Sequence, residues 1–173
     1  MLKCRIPFVH ASSIYDIDVS FYKKIGIKYV LSDLDNTLDS YKTKLPSNKA
    51  VELKKILQEN EIELIIISNN TGKRVSAYSD ALGIRYLSSV GKPFATKLLK
   101  KLAENKIDID KSIMIGDQVV TDITCANRAN IKSVLTDKLV KEDQWTTRFN
   151  RLFDRPLRKA LKRKHLLKDW REI

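Results

Sequence analysis

The feature that most constrains the fold is a series of short apolar runs separated by segments with helical periodicity. The runs are short and rich in Ile and Val, which favours strands, and they cover 27–31, 62–67, 84–87, 112–115 and 131–135. Between them we predict four helices: one opened by Pro46 and Ser47, one ending at Gly83, one with Pro93 in its first turn, and one through Ile123 and Ala126. Strands that alternate with helices form a parallel sheet covered on both faces. We therefore predict an α/β fold with three layers (α/β/α), in which a five-stranded parallel sheet is the middle layer.

Polar residues that can take part in catalysis or ligand binding follow four of these predicted strands. They are Asp33, Asp35 and Thr37 after the first strand, Ser68 and Asn69 after the second, Lys92 after the third, and Asp117 and Asp122 after the fourth. In open parallel sheets, ligands bind beyond the carboxyl ends of the strands. We therefore expect these side chains to converge at one edge of the sheet.

This set of groups matches the needs of phosphoryl transfer. One carboxylate attacks phosphorus and forms an aspartyl-phosphate, and a second protonates the leaving alkoxide and then activates water. Clustered carboxylates repel one another unless a hard cation neutralises them, and Mg²⁺ takes carboxylate and phosphate oxygens. An ammonium group and a hydroxyl then hold the phosphate oxygens, where charge spreads in the transition state.

The four segments, in their order, resemble the four motifs of the haloacid dehalogenase (HAD) superfamily, with DLDNT matching its DxDxT motif. The resemblance implies a HAD-like Rossmannoid fold and a Mg²⁺ cofactor. It implies Asp33 as nucleophile and metal ligand, Asp35 as general acid/base and metal ligand through its backbone carbonyl, and Asp117 as a further metal ligand. It also implies that Thr37, Ser68, Asn69 and Lys92 bind the substrate phosphate, and that Asp122 supports Lys92 or a metal-bound water. Dehalogenases lack an acid at the position of Asp35, so its presence favours hydrolysis of phosphate esters.

A narrower resemblance is carried by the segments DLDNTL, ISNN, GKP, IGDQVVTD and TRFNR. Together they are similar to the YqeG family of class IIIA HAD phosphatases, which is related to phosphatidylglycerophosphate phosphatases. The implied activity is hydrolysis of a phosphomonoester, with phosphatidylglycerophosphate as one candidate. The intervals 38–67 and 69–91 leave no room for an inserted domain, so we expect a capless site that is open to large substrates.

We divide the chain into an N-terminal extension (1–24), a HAD-like phosphatase domain (25–144) and a basic C-terminal helical tail (145–173). The tail is rich in Lys and Arg, and Phe153, Leu157 and Leu161 recur every four residues. Three readings of the tail stay open. It packs on the domain, it lies on an anionic membrane, or it contacts RNA or the ribosome.

The formal net charge of +12 favours anionic partners such as phosphate esters, lipid surfaces or nucleic acid. The alternative to a phosphatase is therefore an RNA- or ribosome-associated basic protein whose phosphatase site is secondary or vestigial. The two cysteines, Cys4 and Cys125, lie far apart, and we see neither a signal peptide nor an apolar run that could span a bilayer. We expect a cytoplasmic protein, with contact to the inner face of the membrane as a variant. The residues do not indicate an oligomeric state.

Overall fold

The computed structural model describes residues 3–70, 72–139 and 148–173, with the side chains of 148–151 left out. Within these ranges six strands form one sheet with the order β1-β6-β5-β2-β3-β4, and all neighbours are parallel. The strands are β1 (Val9–Ala11), β2 (Tyr29–Ser32), β3 (Glu63–Ile67), β4 (Tyr86–Leu87), β5 (Ser112–Gly116) and β6 (Lys132–Thr136). The predicted fold class is confirmed.

Helices connect the strands. They are α1 (Val19–Lys24), α2 (Asn48–Glu59), α3 (Lys73–Leu82), α4 (Thr96–Glu104), α5 (Thr124–Arg128) and α6 (Arg148–Arg163), and a wide π-helical turn, Val119–Ile123, leads into α5. Two predicted boundaries are found where local chemistry puts them. The Ser47 hydroxyl caps α2 by accepting a hydrogen bond from the Ala50 amide, and Gly83 ends α3 in the left-handed conformation.

Two details differ from the sequence prediction. The sheet has a sixth strand, β1, which comes from the segment 1–24 and pairs with β6 at the sheet edge. At three residues, β1 is too short to show a periodicity. In addition, α4 begins at Thr96, so Pro93 lies in the turn before the helix and not in its first turn.

The sheet is buried on both faces because consecutive residues of its strands face opposite layers. Val30 and Ile113 belong to one apolar cluster, whereas their neighbours Leu31 and Met114 belong to a second cluster on the other face. All four side chains are fully buried. This packing makes the central strands β2 and β5 a rigid support for the residues that follow them.

The C-terminal helix α6 packs on the domain, which is one of the three readings left open by the sequence. Leu161 is buried in a third apolar cluster with Val119, Ile123 and Leu135. The predicted boundary between 144 and 145 and the first residue of the TRFNR segment lie outside the described residues. Among the described helices, none is both long and apolar enough to cross a membrane.

Candidate active site

The site is built at the carboxyl ends of β2 and β5, the two central strands. Asp33 follows β2, and its amide donates a hydrogen bond of 2.9 Å to the Ile115 carbonyl of β5. Asp117 follows β5 and is fully buried. One carboxylate oxygen each from Asp33, Asp117 and Asp122 lie within 4.8 Å of one another. The sheet thus brings together Asp33, Asp117 and Asp122, three of the acids that we predicted to converge.

Lys92 lies within this acidic cluster. Its ammonium donates to Asp33 Oδ1 at 2.6 Å and to Asp122 Oδ1 at 2.7 Å, and its side chain is only 4% exposed. The Asn69 side chain fixes the Lys92 backbone from both sides, because Nδ2 donates to the Lys92 carbonyl at 2.8 Å and Oδ1 accepts from the Lys92 amide at 2.7 Å. Both polar atoms of the Asn69 side chain are therefore engaged in positioning Lys92.

Gly116 explains how Asp122 reaches Lys92. A Cβ atom at position 116 would lie 2.3 Å from the Cγ of Asp122, which is far inside van der Waals contact, so only glycine fits. The second oxygen of Asp122 accepts a hydrogen bond from the Gln118 amide at 3.1 Å. The close approach and the two hydrogen bonds hold the Asp122 carboxylate in one orientation.

When no cation is bound, the electrostatics of the cluster favour a charged Lys92 and a neutral Asp33. The pKa of Asp33 is raised to about 8, mainly by burial and also by the neighbouring Asp122 and Asp117 carboxylates, against the opposing effect of Lys92. Burial alone would lower the pKa of Lys92, but Asp122 and Asp33 outweigh that effect and raise it. Lys92 therefore stays an ammonium group, whereas the Asp33 carboxyl is poised to lose its proton near neutral pH.

The carboxylates fit a hard divalent cation. Oxygen ligands from carboxylates are what such cations prefer, and a cation would relieve the repulsion within the cluster. Both oxygens of Asp122 already accept hydrogen bonds, from Lys92 and from the Gln118 amide. Asp33 and Asp117 are thus the carboxylates best placed to hold a metal, and Asp122 is placed to support Lys92. The predicted metal set also includes Asp35 through its backbone carbonyl, and that assignment stays a prediction.

Asp35, the predicted acid/base, points to a partner that the sequence did not indicate. Its Oδ1 accepts a hydrogen bond from the Arg74 guanidinium, and the Asp35 side chain is 17% exposed. The same guanidinium donates to the carbonyls of Ser40 at 3.0 Å and Thr43 at 3.2 Å. Arg74 therefore ties α3 to the loop that follows the first motif. A single Arg near the start of a helix carries no signal that would have identified it.

The remaining predicted phosphate ligands are buried beside this edge. Thr37 is buried, and within the described part of the chain its hydroxyl has no hydrogen-bond partner. The Ser68 hydroxyl accepts a hydrogen bond from the Asn70 amide at 3.1 Å. Asp39 is buried and accepts hydrogen bonds from the Ser47 amide at 2.9 Å and from the Tyr78 hydroxyl. Asp39 therefore supports the start of α2.

Comparison with known proteins gives matches in sequence and in structure. The HAD-hydrolase-like family matches residues 89–154. The chain is 30% identical over 162 residues to the Bacillus subtilis protein named "Probable phosphatase YqeG", covering 94% of each chain. It is also 29% identical over 174 residues to "Phosphatidylglycerophosphate phosphatase 1, chloroplastic/mitochondrial" of Arabidopsis thaliana. This match covers 91% of the chain but 49% of the plant protein, so the chain spans about half of that relative's length.

Among solved structures, the chain resembles the cobalt-bound deoxy-D-mannose-octulosonate 8-phosphate phosphatase YrbI of Haemophilus influenzae. The TM-score is 0.50 at 17% identity, over 67% of this chain and 81% of that one, a likeness that concerns the fold alone. The sequence match to the Bacillus protein runs over nearly the whole of both chains, and the match to the HAD-hydrolase-like family lies within it. The chain therefore belongs to the family of HAD-like phosphatases that includes the YqeG protein of Bacillus subtilis.

Proposed function

We propose that this HAD-family phosphoric monoester hydrolase is Mg²⁺-dependent and works through an aspartyl-phosphate on Asp33. The observation that carries the proposal is the position of the Asp33 carboxylate. It follows the rigid strand β2, accepts a hydrogen bond from the Lys92 ammonium at 2.6 Å and has an oxygen within 4.8 Å of one from Asp117. A nucleophile needs this combination of a fixed position, a counter-charge and a place for a cation.

Asp33 and Asp117 would hold the metal ion. Mg²⁺ bound there would offset the negative charge of the carboxylates and of the substrate phosphate. Asp33 attacks phosphorus, and the Lys92 ammonium binds phosphate oxygens while Asp122 keeps it in place. The buried Thr37 and Ser68 hydroxyls supply further hydrogen bonds to the phosphate. We assign Asn69 to the positioning of Lys92, because both polar atoms of its side chain already bind the Lys92 backbone.

Asp35 moves the protons in this mechanism. It first protonates the leaving-group oxygen and then takes a proton from the water that cleaves the aspartyl-phosphate. In the resting arrangement its carboxylate is held by Arg74. The proposal therefore requires Asp35 to turn from Arg74 towards the leaving-group oxygen when substrate binds.

We propose an anionic phosphomonoester as the substrate, with phosphatidylglycerophosphate as the first to be tested. The activity for which the plant relative is named supports this choice, and so does the net charge of +12. No inserted domain covers the carboxyl edge of the sheet within the described residues, which suits a headgroup presented by a lipid surface. A lipid substrate would place the protein at the inner face of a membrane during turnover.

Release of inorganic phosphate from a substrate panel tests the proposal. The panel includes phosphatidylglycerophosphate in mixed micelles, soluble sugar phosphates and an aryl phosphate, each with Mg²⁺ or with EDTA. We expect Mg²⁺-dependent release that disappears in Asp33→Asn. Turnover of none of these substrates, or full activity in Asp33→Asn, would overturn the proposal. Preference for a soluble ester would overturn only its lipid part.

A further inference from the structure

The C-terminal helix α6 touches the loop that carries Asp117. The Arg158 guanidinium donates hydrogen bonds to four acceptors: the Asp117 carbonyl, the Thr136 carbonyl at 2.6 Å, Asp137 Oδ1 at 3.1 Å and Asp154 Oδ2 at 3.1 Å. Asp117 directly follows β5, and Thr136 is the last residue of the adjacent strand β6. Arg158 therefore joins two neighbouring strand ends at the edge where the candidate active site lies.

Asp154 holds the other side of the same loop. Its side chain is 2% exposed, and its Oδ1 accepts hydrogen bonds from the amides of Val119 at 2.6 Å and Val120 at 3.2 Å. These amides open the helical turn that follows Asp117 and Gln118. At the start of a helical turn, amides have no partner within the turn, and a carboxylate from another element satisfies them here.

The position of α6 itself is set by apolar packing. Leu161 is buried against Val119, Ile123 and Leu135, and Leu157 packs against this cluster. This packing would hold the helix without any charged group at its inner face. Burying a charged group is costly unless its hydrogen bonds are complete, so the pairing of the buried Asp154 with the half-buried Arg158 is weak as a device for stability alone. Each of the two residues binds main-chain atoms of the segment that follows the Asp117 side chain: Arg158 binds the Asp117 carbonyl, and Asp154 binds the amides of Val119 and Val120.

We propose that Arg158 and Asp154 are positioning residues that fix the Asp117 carboxylate for metal binding, which makes the C-terminal helix a structural part of the metal site. The Asp117 carbonyl is held by Arg158, and the amide two residues later is held by Asp154. The backbone that leaves the Asp117 Cα is therefore held at two points, and this restricts the directions that the Asp117 side chain can take. This inference rests on the proposed Mg²⁺-dependent function.

Four full-length variants test the proposal: Arg158→Ala, Arg158→Lys, Asp154→Asn and, as a matched control, Lys162→Ala. Lysine keeps the positive charge but lacks the planar fork that serves several acceptors at once. Asparagine keeps the shape of Asp154 but removes its charge. Lys162 is a basic residue of the same helix with an exposed side chain. Folding of each variant is checked first by circular dichroism and thermal unfolding.

Two readouts separate positioning from general stability. Calorimetric titration with MgCl₂ should show a dissociation constant about 10- to 100-fold weaker in the three test variants, as for other residues that orient metal ligands. Hydrogen exchange of the metal-free protein should be faster in the segment 117–124 and unchanged in β3. Lys162→Ala should match the unsubstituted protein in both. If Arg158→Ala does not fold, Arg158→Lys and Asp154→Asn provide the same comparison.

The proposal is overturned if the folded variants bind Mg²⁺ as tightly as the unsubstituted protein, even if their melting temperatures fall. It is also overturned if exchange of 117–124 is unchanged. Failure of the proposed function would look different. In that case no substrate would be cleaved and Asp33→Asn would make no difference, while Arg158→Ala would still accelerate exchange in 117–124.

Discussion

Replacing Gly116 by alanine tests how Lys92, the proposed phosphate ligand, is held in place. The added Cβ would lie 2.3 Å from Asp122 Cγ, 2.4 Å from Asp122 Cβ and 2.5 Å from Asp122 Oδ2, whereas ordinary contact begins at 3.4 Å. Asp122 would have to move by about 1 Å or more to restore van der Waals contact. Its side chain is 1% exposed, so no open space receives it.

The expected cost combines overpacking with a weakened ion pair. Extra methyl groups in a well-packed interior cost about 1–3 kcal/mol. The displaced carboxylate would also lose part of its contact with Lys92, now 2.7 Å, and with the Gln118 amide. We therefore expect a loss of about 3 kcal/mol, which in a domain of this size lowers the melting temperature by about 6–12 °C.

Activity should fall by more than stability alone explains. A displacement of about 1 Å in a positioning group costs about 100-fold in rate. Steady-state kinetics at a temperature where the variant is fully folded should show that loss in kcat/KM. Thermal unfolding followed by circular dichroism gives the stability change on the same sample.

Gly26→Ala is the matched control. Gly26 has φ +72°, where an L-residue is strained by roughly 1–2 kcal/mol, but nothing lies within 4 Å of its added Cβ. It precedes β2, at the end of the strand away from the site. We expect Gly26→Ala to lose stability and keep its kcat/KM. The reasoning is refuted if Gly116→Ala keeps both its melting temperature and its activity, or if both variants lose activity equally.

Three further changes have defined outcomes. Asp35→Asn should lower kcat by about 10²- to 10⁴-fold, with a smaller loss on an aryl phosphate whose leaving group needs no proton, as steady-state kinetics would show. Because the pKa of Asp33 is raised from 3.8 to about 8, mainly by burial, the metal-free protein should lose stability as pH rises between these values. Over the same range Mg²⁺ should bind more tightly and release a proton, which calorimetry in two buffers of different ionisation enthalpy would measure. Leu161→Ala, at a buried position on the inner face of α6, should destabilise the protein by about 2–5 kcal/mol in chemical unfolding.

The parts of the site that were predictable from sequence are those with local signals. Asp33 and Asp117 each follow a buried apolar strand, and parallel strands place their carboxyl ends together, so convergence follows from pattern and topology. The start of α2 at Ser47 and the end of α3 at Gly83 depend on capping chemistry within a few residues.

The parts that were missed depend on contacts between distant segments. Arg74 meets Asp35 across 39 positions of the chain, and Arg158 meets the Asp117 carbonyl across 41. Neither arginine differs in local pattern from its exposed neighbours. β1 was missed for a related reason, because three residues that pair with β6 over a separation of more than 100 positions show no periodicity. The docking of α6 was left open because its apolar residues suit a protein surface as well as a membrane.

The proposed mechanism depends on a covalent phosphoenzyme formed at Asp33. The most direct measurement is to quench the reaction during turnover, reduce acyl phosphates with borohydride and locate the product by mass spectrometry of peptides. Because borohydride converts an aspartyl-phosphate to homoserine, we expect homoserine at position 33, present with substrate and Mg²⁺ and absent with EDTA. Reduction at another carboxylate, or none while phosphate is being released, would contradict it.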